Sequence, residues 1–251
     1  MRAVIFAAGK STRLGELTKD TPKSCLPINA SETILERSLK LLNKYGFEEI
    51  FIITGFKESV IKKIISKHTN SFKCIETIYN KEFETKNNYY TALLSAYLLG
   101  SDTLILNSDI VYSEKILKYV KKEMQKSSES FMVIDNSKPS IDEDMKVYID
   151  AKTNKITRIN KKLENNIAFG EYIGIMRIND SDLKYFKNQL NYMFKNNDID
   201  KYYEDALDQI LEKIDIYPLS TKGEEWTEID FPEDYIKAKN LSCIKQVSLQ
   251  N

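Results

Sequence analysis

The chain has 251 residues, 42% of them hydrophobic and 29% charged, and its 37 Lys+Arg balance its 37 Asp+Glu to a net charge of zero. This is the composition of an ordinary globular protein long enough for a sizeable core, and it excludes the strong basic excess that a nucleic-acid backbone partner favours. No stretch nears the roughly 20 apolar residues of a membrane span, and three scattered cysteines without CxxC spacing and a lone His68 give neither a disulfide framework nor a zinc site or histidine triad.

Ala3–Ala7 predicts a buried strand that breaks into Ala8 and Gly9, with Arg13 following and Lys23 fixed behind Pro22. Small side chains let the backbone N–H groups approach an anion closely, and two nearby cations suit a nucleotide's phosphates. A tight turn with two surface cations accounts for the same residues. The loop carries neither the Walker pattern nor GxGxxG.

Glu32–Tyr45 predicts an amphipathic helix capped by Ser31, and Glu49–Thr54 a second strand closed by Gly55. A helix over Glu58–Lys67, a strand over Cys74–Tyr79, a helix over Tyr89–Leu99 and a strand over Thr103–Leu106 follow. This alternation predicts a parallel, doubly wound sheet, whose ligands bind beyond the carboxyl ends of the strands. The loops at 8–23, Gly55 and 107–109 all lie at that edge. Asp109, directly after an apolar strand, suits a hard cation held by oxygen; the competing role is a cap for the helix starting near Ser113. The charge run Lys118–Lys126, apolar at helical spacing, predicts a solvated helix face.

In the second half, Asp144–Asp150 and Lys155–Asn160 predict a hairpin, and Tyr172–Ile178 a strand. Helices are expected over Ser181–Phe194 and Lys201–Lys213, strands near Ile214–Leu219 and Glu225–Ile229, a helix over Glu233–Asn240 and a fraying tail over Ser242–Asn251. On a strand, Trp226, Glu228 and Asp230 share a face, which points two carboxylates at one metal; capping ahead of Pro232 is the competing role for Asp230.

The set Ala7-Ala8-Gly9-x-x-x-Arg13-Leu14 with Pro22-Lys23 resembles the signature of the nucleotidyltransferases that activate sugar phosphates and related small phosphates. Gly55, Asn87-Asn88, Asp109 and Glu228-x-Asp230 agree in order, so the resemblance spans residues 1–240. It implies an α/β, doubly wound, mostly parallel Rossmann-like sheet with a small β-rich acceptor-binding lobe. It also implies one domain over 1–251: a nucleotide-binding half to 135, an acceptor-binding half over 136–230, and a C-terminal helix and tail. Carried over residue by residue, Arg13 and Lys23 are catalytic on the phosphates. Ala7, Ala8, Gly9, Gly55, Asn87 and Ser108 bind the nucleotide, and Asp109 and Asp230 hold Mg²⁺. Ser11 departs from the pattern, standing where the family usually has a second glycine; a positive φ there costs strain.

Within that family the chain is most similar to small cytidylyltransferases acting on phosphocholine or aminoalkylphosphonates. The similarity rests on Asn87-Asn-Tyr-Tyr-Thr91, Asp144-Met-Lys-Val, Ile159-Asn-Lys-Lys-Leu163, Gly170-Glu-Tyr-Ile-Gly174 and Tyr202-Tyr-Glu-Asp-Ala206. The implied reaction moves CMP from CTP to a small phosphate or phosphonate with release of pyrophosphate. Lys161 is the candidate for the acceptor's anion, and Glu171, Glu204 or Asp205 with Tyr172 for its amine, with Asp144 and Glu228 in the same pocket. Each of these side chains also has a purely structural reading. Two alternatives stay open: a sugar-1-phosphate nucleotidylyltransferase using UTP, dTTP or GTP, and a catalytically silent nucleotide-binding regulator, against which the joint presence of Arg13, Lys23, Asp109 and Asp230 argues. A cytoplasmic location without nucleic-acid or membrane partners is expected, and a homodimer is compatible with the sequence.

Overall fold

A computed structural model describes residues 1–248. Six strands of the first half, β1 (Arg2–Ala7), β2 (Glu49–Thr54), β3 (Cys74–Tyr79), β4 (Thr103–Asn107), β5 (Ile110–Tyr112) and β6 (Ser130–Asp135), alternate with helices α1 (Ile34–Lys44), α2 (Glu58–Ile65), α3 (Asn88–Ser95) and α4 (Glu114–Lys126). Strands β7 (Lys146–Ile149), β8 (Ile156–Asn160), β9 (Gly170–Arg177), β10 (Ile216–Ser220) and β11 (Trp226–Glu228) follow, with helices α5 (Asp180–Lys195), α6 (Tyr203–Asp208), α7 (Pro232–Asn240) and α8 (Ser242–Ser248).

The main sheet has the order β10-β6-β9-β4-β1-β2-β3, and β3, β2, β1 and β4 are mutually parallel. Strand β9 runs antiparallel between β4 and β6, and the β7–β8 hairpin branches from it. The expected mixed α/β architecture with a largely parallel centre is therefore present. Ala3, Ile5 and Ala7 pack into one buried cluster and Val4 and Phe6 into another. Helices cover both faces, which is why β1 reads as an unbroken apolar run. Parallel register aligns Ala7 with Thr54, Thr54 with Tyr79, and Phe6 with Asn107. The carboxyl ends of four strands thus share one edge.

Several local expectations are corrected. Helix α1 is capped by Thr33, in a capping box with Glu36, and Ser31 belongs to a turn closed by the Asn29 side-chain Oδ1, which accepts the Ser31 N–H. The regular part of α2 stops at Ile65, α3 gives way to a 3₁₀ turn over Ala96–Leu98, and α6 is regular only over Tyr203–Asp208. Beyond α6 the chain turns tightly, with Ile210 N–H donating to the Leu207 carbonyl and Lys213 N–H to that of Ile210, which sends Ile210, Leu211 and Ile214 inward. Strands β5 and β6 were not expected. Phe131–Ile134 is apolar at every position and buried on both faces, so it shows no period-2 alternation. The tail forms α8 as far as Ser248, and 249–251 lie outside the described residues. No helix among the described residues is long and apolar enough to cross a membrane.

Candidate active site

The strand β1 ends at Ala7, and the next residues are held in place from both sides. Phe56 N–H donates to the Ala8 carbonyl at 3.0 Å, and Ser108 N–H to that of Phe6 at 3.2 Å. A Cβ on Gly55 would lie 2.6 Å from the Ala8 oxygen and 2.6 Å from Cβ of Phe83. Gly55 therefore permits this close approach; it does not itself line the cavity above the strand ends. The chain then enters a 3₁₀ segment over Thr12–Thr18 through Ser11, at φ 53° and ψ 46°. The strain foreseen for Ser11 is present, and the Thr18 hydroxyl, donating to the Ser11 carbonyl at 2.9 Å, helps hold it. A left-handed conformation costs an L-residue about 1–2 kcal/mol, partly offset in glycine by its greater unfolded-state freedom. Ser11→Gly is accordingly expected to raise Tm by about 2 °C. A fall in Tm by calorimetry would show that Ser11 contributes something its backbone does not reveal.

Pro22 delivers Lys23 into a short 3₁₀ turn over Lys23–Cys25, with Lys23 8% exposed. The Lys23 ammonium lies 2.9 Å from Asp109 Oδ2 and 2.9 Å from Asp230 Oδ1. Arg13 reaches the other oxygen of Asp230 at 2.8 Å, and its guanidinium sits 5.2 Å from the centroid of the Phe231 ring. Two cations and two carboxylates form one row beneath the end of β1. A buried cluster, including Leu14, Leu26, Val111 and Ile229 with Tyr235 and Ala238 of α7, clamps the opening loop against the C-terminal segment.

The meeting of Asp109 with Asp230 comes from a two-stranded ladder. Strands β5 and β11 pair antiparallel, with Ile110 opposite Glu228, and Ile229 N–H donates to the Asp109 carbonyl at 2.9 Å. This brings carboxylate oxygens of Asp109, Glu228 and Asp230 within 4.8 Å of one another. Both competing cap roles fall to other residues. Ser113 caps α4, and the Asp234 carboxylate accepts the N–H groups of Asp230 and Phe231 at the start of α7. Asp109 and Asp230 remain for cations.

Electrostatics follow from this crowding. Burial disfavours the Lys23 ammonium, but Asp109 and Asp230 outweigh it and hold the group above the usual lysine value. Burial likewise opposes the Asp230 carboxylate, and Lys23 and Arg13 overcome it, keeping Asp230 below the ordinary range. Glu228 is pushed up to about 8, first by burial and then by Asp109 and Asp230. With all three ionised the acids would outnumber Lys23 and Arg13, which is the crowding that favours the protonated form of Glu228, and Asp109 Oδ1 is buried with no hydrogen-bond partner. An all-oxygen set of this kind fits a hard divalent cation.

The cavity above this row has a volume of about 350 Å³. Ala7, Ala8, Gly9, Arg13, Lys23, Asn87, Ser108, Asp109, Lys161, Tyr172, Glu204, Glu228 and Asp230, all singled out from the sequence, line it. Asn87 also caps α3, accepting from Asn88 N–H at 2.7 Å. Glu204 is 4% exposed, its Oε2 has no hydrogen-bond partner, and burial pushes its carboxyl up to about 7. Tyr172 and Tyr203 share a hydroxyl contact at 3.0 Å, and the Tyr203 hydroxyl donates onward to the Asn107 side-chain Oδ1 at 3.2 Å.

Besides Gly55, three candidates lie elsewhere. Asp205 serves the local fold, accepting from Tyr202 N–H at 2.7 Å and from Asn160 at 3.3 Å. Asp144 and Glu171 line a neighbouring cavity of about 220 Å³, which shares Glu228 and Asp230 with the first. Glu228, read from the sequence both as a second carboxylate facing a metal beside Asp230 and as an acceptor contact, stands with Asp109 and Asp230. Asn107 and Gly174 were read from the sequence only as parts of a loop and a motif and given no role of their own. Gly174 has φ +82°, and a Cβ there would lie 2.7 Å from the Asn107 side chain, so glycine keeps that floor open.

The model of the family described as nucleotidyl transferase matches residues 2–241. The choline-phosphate cytidylyltransferase of Streptococcus pneumoniae is 21% identical over 252 residues, covering 96% of this chain and 98% of its own. The bifunctional protein GlmU of Methanococcus vannielii is 26% identical over 246 residues; the match covers 96% of this chain but only 54% of that longer protein. In structure, the CTP:phosphocholine cytidylyltransferase of Streptococcus pneumoniae superposes with a TM-score of 0.79 at 19% identity, covering 95% of this chain and 97% of the other. The chain belongs to the nucleotidyl transferase family, whose members are enzymes that transfer nucleotidyl groups.

Proposed function

We propose that this chain, as a member of the nucleotidyl transferase family, is a Mg²⁺-dependent cytidylyltransferase that transfers CMP from CTP to a small phosphate or phosphonate bearing a cationic amine. The observation that carries the reading is the row Arg13–Asp230–Lys23–Asp109 at the end of β1, with Glu228 beside it. An oxygen of the acceptor's phosphate or phosphonate attacks the α-phosphorus of CTP. The new P–O bond forms as the bond to the β-phosphate oxygen breaks, and pyrophosphate leaves. That acceptor oxygen is already anionic, so the step needs no strong general base, in keeping with a site that contains no histidine.

Small residues at Ala8 and Gly9 admit the triphosphate to the backbone N–H groups at the strand end. Arg13 and Lys23 face the charge that grows on the departing pyrophosphate, where fixed cations favour the transition state over the ground state. Asp109, Glu228 and Asp230 would hold the metal, which when bound neutralises phosphate oxygens. Lys161 serves the acceptor's anion. The choice of CTP and of an aminated acceptor is supported by the phosphocholine enzyme of Streptococcus pneumoniae among the relatives.

Pyrophosphate release tests this directly. CTP, UTP, dTTP and GTP would each be offered with Mg²⁺ and phosphocholine, 2-aminoethylphosphonate or glucose 1-phosphate. The expected result is turnover with CTP and an aminated acceptor at least tenfold above every other pairing. Turnover confined to glucose 1-phosphate with another nucleotide would replace the reading with a sugar-activating one. Tight nucleotide binding without any release would make the chain a sensor.

A further inference from the structure

The second cavity, next to the acid cluster, has a charge imbalance and a resident cation. Its lining contains six carboxylates and two lysine ammoniums, Lys138 and Lys237. Glu171, at the start of β9, is 9% exposed and its Oε2 accepts no hydrogen bond. Burial and the neighbouring Asp144 push Glu171 up to about 7. This carboxylate is short of positive charge.

Lys138 is the group that answers it. The Asp135 carboxylate accepts from Ser137 N–H at 3.0 Å, and Ser137 Oγ also lies 2.6 Å from it, so the loop after β6 is pinned and Lys138 stands over the cavity. Its ammonium is 3.4 Å from Glu171 Oε2 and 5.2 Å from the centroid of the Trp226 ring. Asp135 also accepts the Trp226 indole N–H at 2.8 Å, which fixes the plane of the ring. An ammonium over an indole face with a carboxylate at its side is the arrangement that binds alkylammonium ligands. The Lys138 side chain is half exposed and free to swing away.

We propose that the Glu171–Asp144–Trp226 cavity is an ammonium subsite, filled here by the chain's own Lys138 and open to exchange with the ammonium end of the acceptor. The proposal rests on the acceptor reading above and deepens it. Because Glu228 and Asp230 line both cavities, a short two-ended molecule places its phosphate or phosphonate in the first and its ammonium in the second. Lys138 then acts as an internal competitor that a neutral acceptor cannot displace, so selection for a cationic acceptor is built into the loop.

Trp226 is the only tryptophan in the chain, so its fluorescence reports the subsite without nucleotide or turnover. The full chain would be titrated with choline and, in parallel, with its neutral isostere 3,3-dimethylbutan-1-ol. A saturable emission change with choline alone is expected. Lys138→Met should tighten choline about threefold, the scale of one exposed cation–π contact, and Glu171→Gln should weaken it about tenfold. No saturable change, an equal response to the isostere, or an unchanged midpoint in Lys138→Met would overturn the proposal. Since the titration involves no cytidylyl transfer, failure of the pyrophosphate assay would not be mistaken for failure here. The Lys138→Met variant alters a half-exposed side chain, so its folding is not at risk.

Discussion

Lys23→Ala is expected to lower turnover by at least about 10²-fold, the scale of losing one transition-state donor. Lys23 is buried between two carboxylates that keep it protonated across the working pH range, so it presents a permanent positive charge to the cavity. Charge grows on the leaving pyrophosphate as the bond to the α-phosphorus breaks, and a cation fixed by Pro22 and the two aspartates needs no reorganisation to meet it. The loss should therefore appear mainly in kcat, with KM for the nucleotide changing less. Alanine also removes the packing of a buried side chain and leaves Asp109 facing Asp230. Lys23→Met keeps most of the volume without the charge, and the same fall in kcat is expected from it. Pyrophosphate release under saturating substrates, with melting temperatures beside it, separates the two causes. Near-normal kcat in a folded Lys23→Met protein would remove Lys23 from the chemistry.

The second large effect concerns the carboxylates. Asp109→Asn should reduce kcat by about 10²- to 10³-fold, because a bound divalent cation is worth several kcal/mol of charge stabilisation and each 1.36 kcal/mol is tenfold. Asp109 Oδ1 is buried and unpartnered while Oδ2 is engaged by Lys23, so an amide there replaces a free anionic oxygen with a neutral group. The Mg²⁺ concentration giving half-maximal rate should rise in Asp109→Asn, and EDTA should abolish wild-type turnover until Mg²⁺ is restored. Undiminished turnover in EDTA would refute the metal role of the three acids. Lys23 is the reason to measure metal dependence rather than rate alone. It already bridges Asp109 and Asp230, so a change in rate without a change in metal requirement would point to the lysine.

Much of this was legible before any fold was known. The alternation of apolar runs with helical segments set β1 to β4 and their helices within a few residues, and placed the notable loops at one edge. Ser11 was marked by the resemblance, in which a second glycine usually stands at that position and a positive φ would cost strain, and its φ of 53° agrees. Other elements were out of reach for identifiable reasons. Strand β6 lies in the sheet interior, covered on both faces, so its sequence lacks the alternation that marks a half-buried strand. Strand β5 has three residues and exists only because β11 pairs with it. Ser31 and Thr33 are both acceptable caps by composition; the Glu36 carboxylate, returning to the Thr33 backbone, decides between them.

The sequence by itself determined the chemistry available: small residues after a buried strand, two fixed cations, and acids after apolar runs far apart in the chain. Those depend on residue type and local spacing, which a linear sequence contains. The tertiary structure alone decided which acids meet. The β5–β11 ladder joins residues more than a hundred positions apart, gathers Asp109, Glu228 and Asp230, and gives the cap roles to Ser113 and Asp234. It also separates acids that composition cannot tell apart: Glu204 in the main cavity, Asp205 in a helix start, and Glu171 beside Lys138 and Trp226. The physical reason is that a carboxylate's role is set by its burial and by the charges beside it, and both are properties of packing.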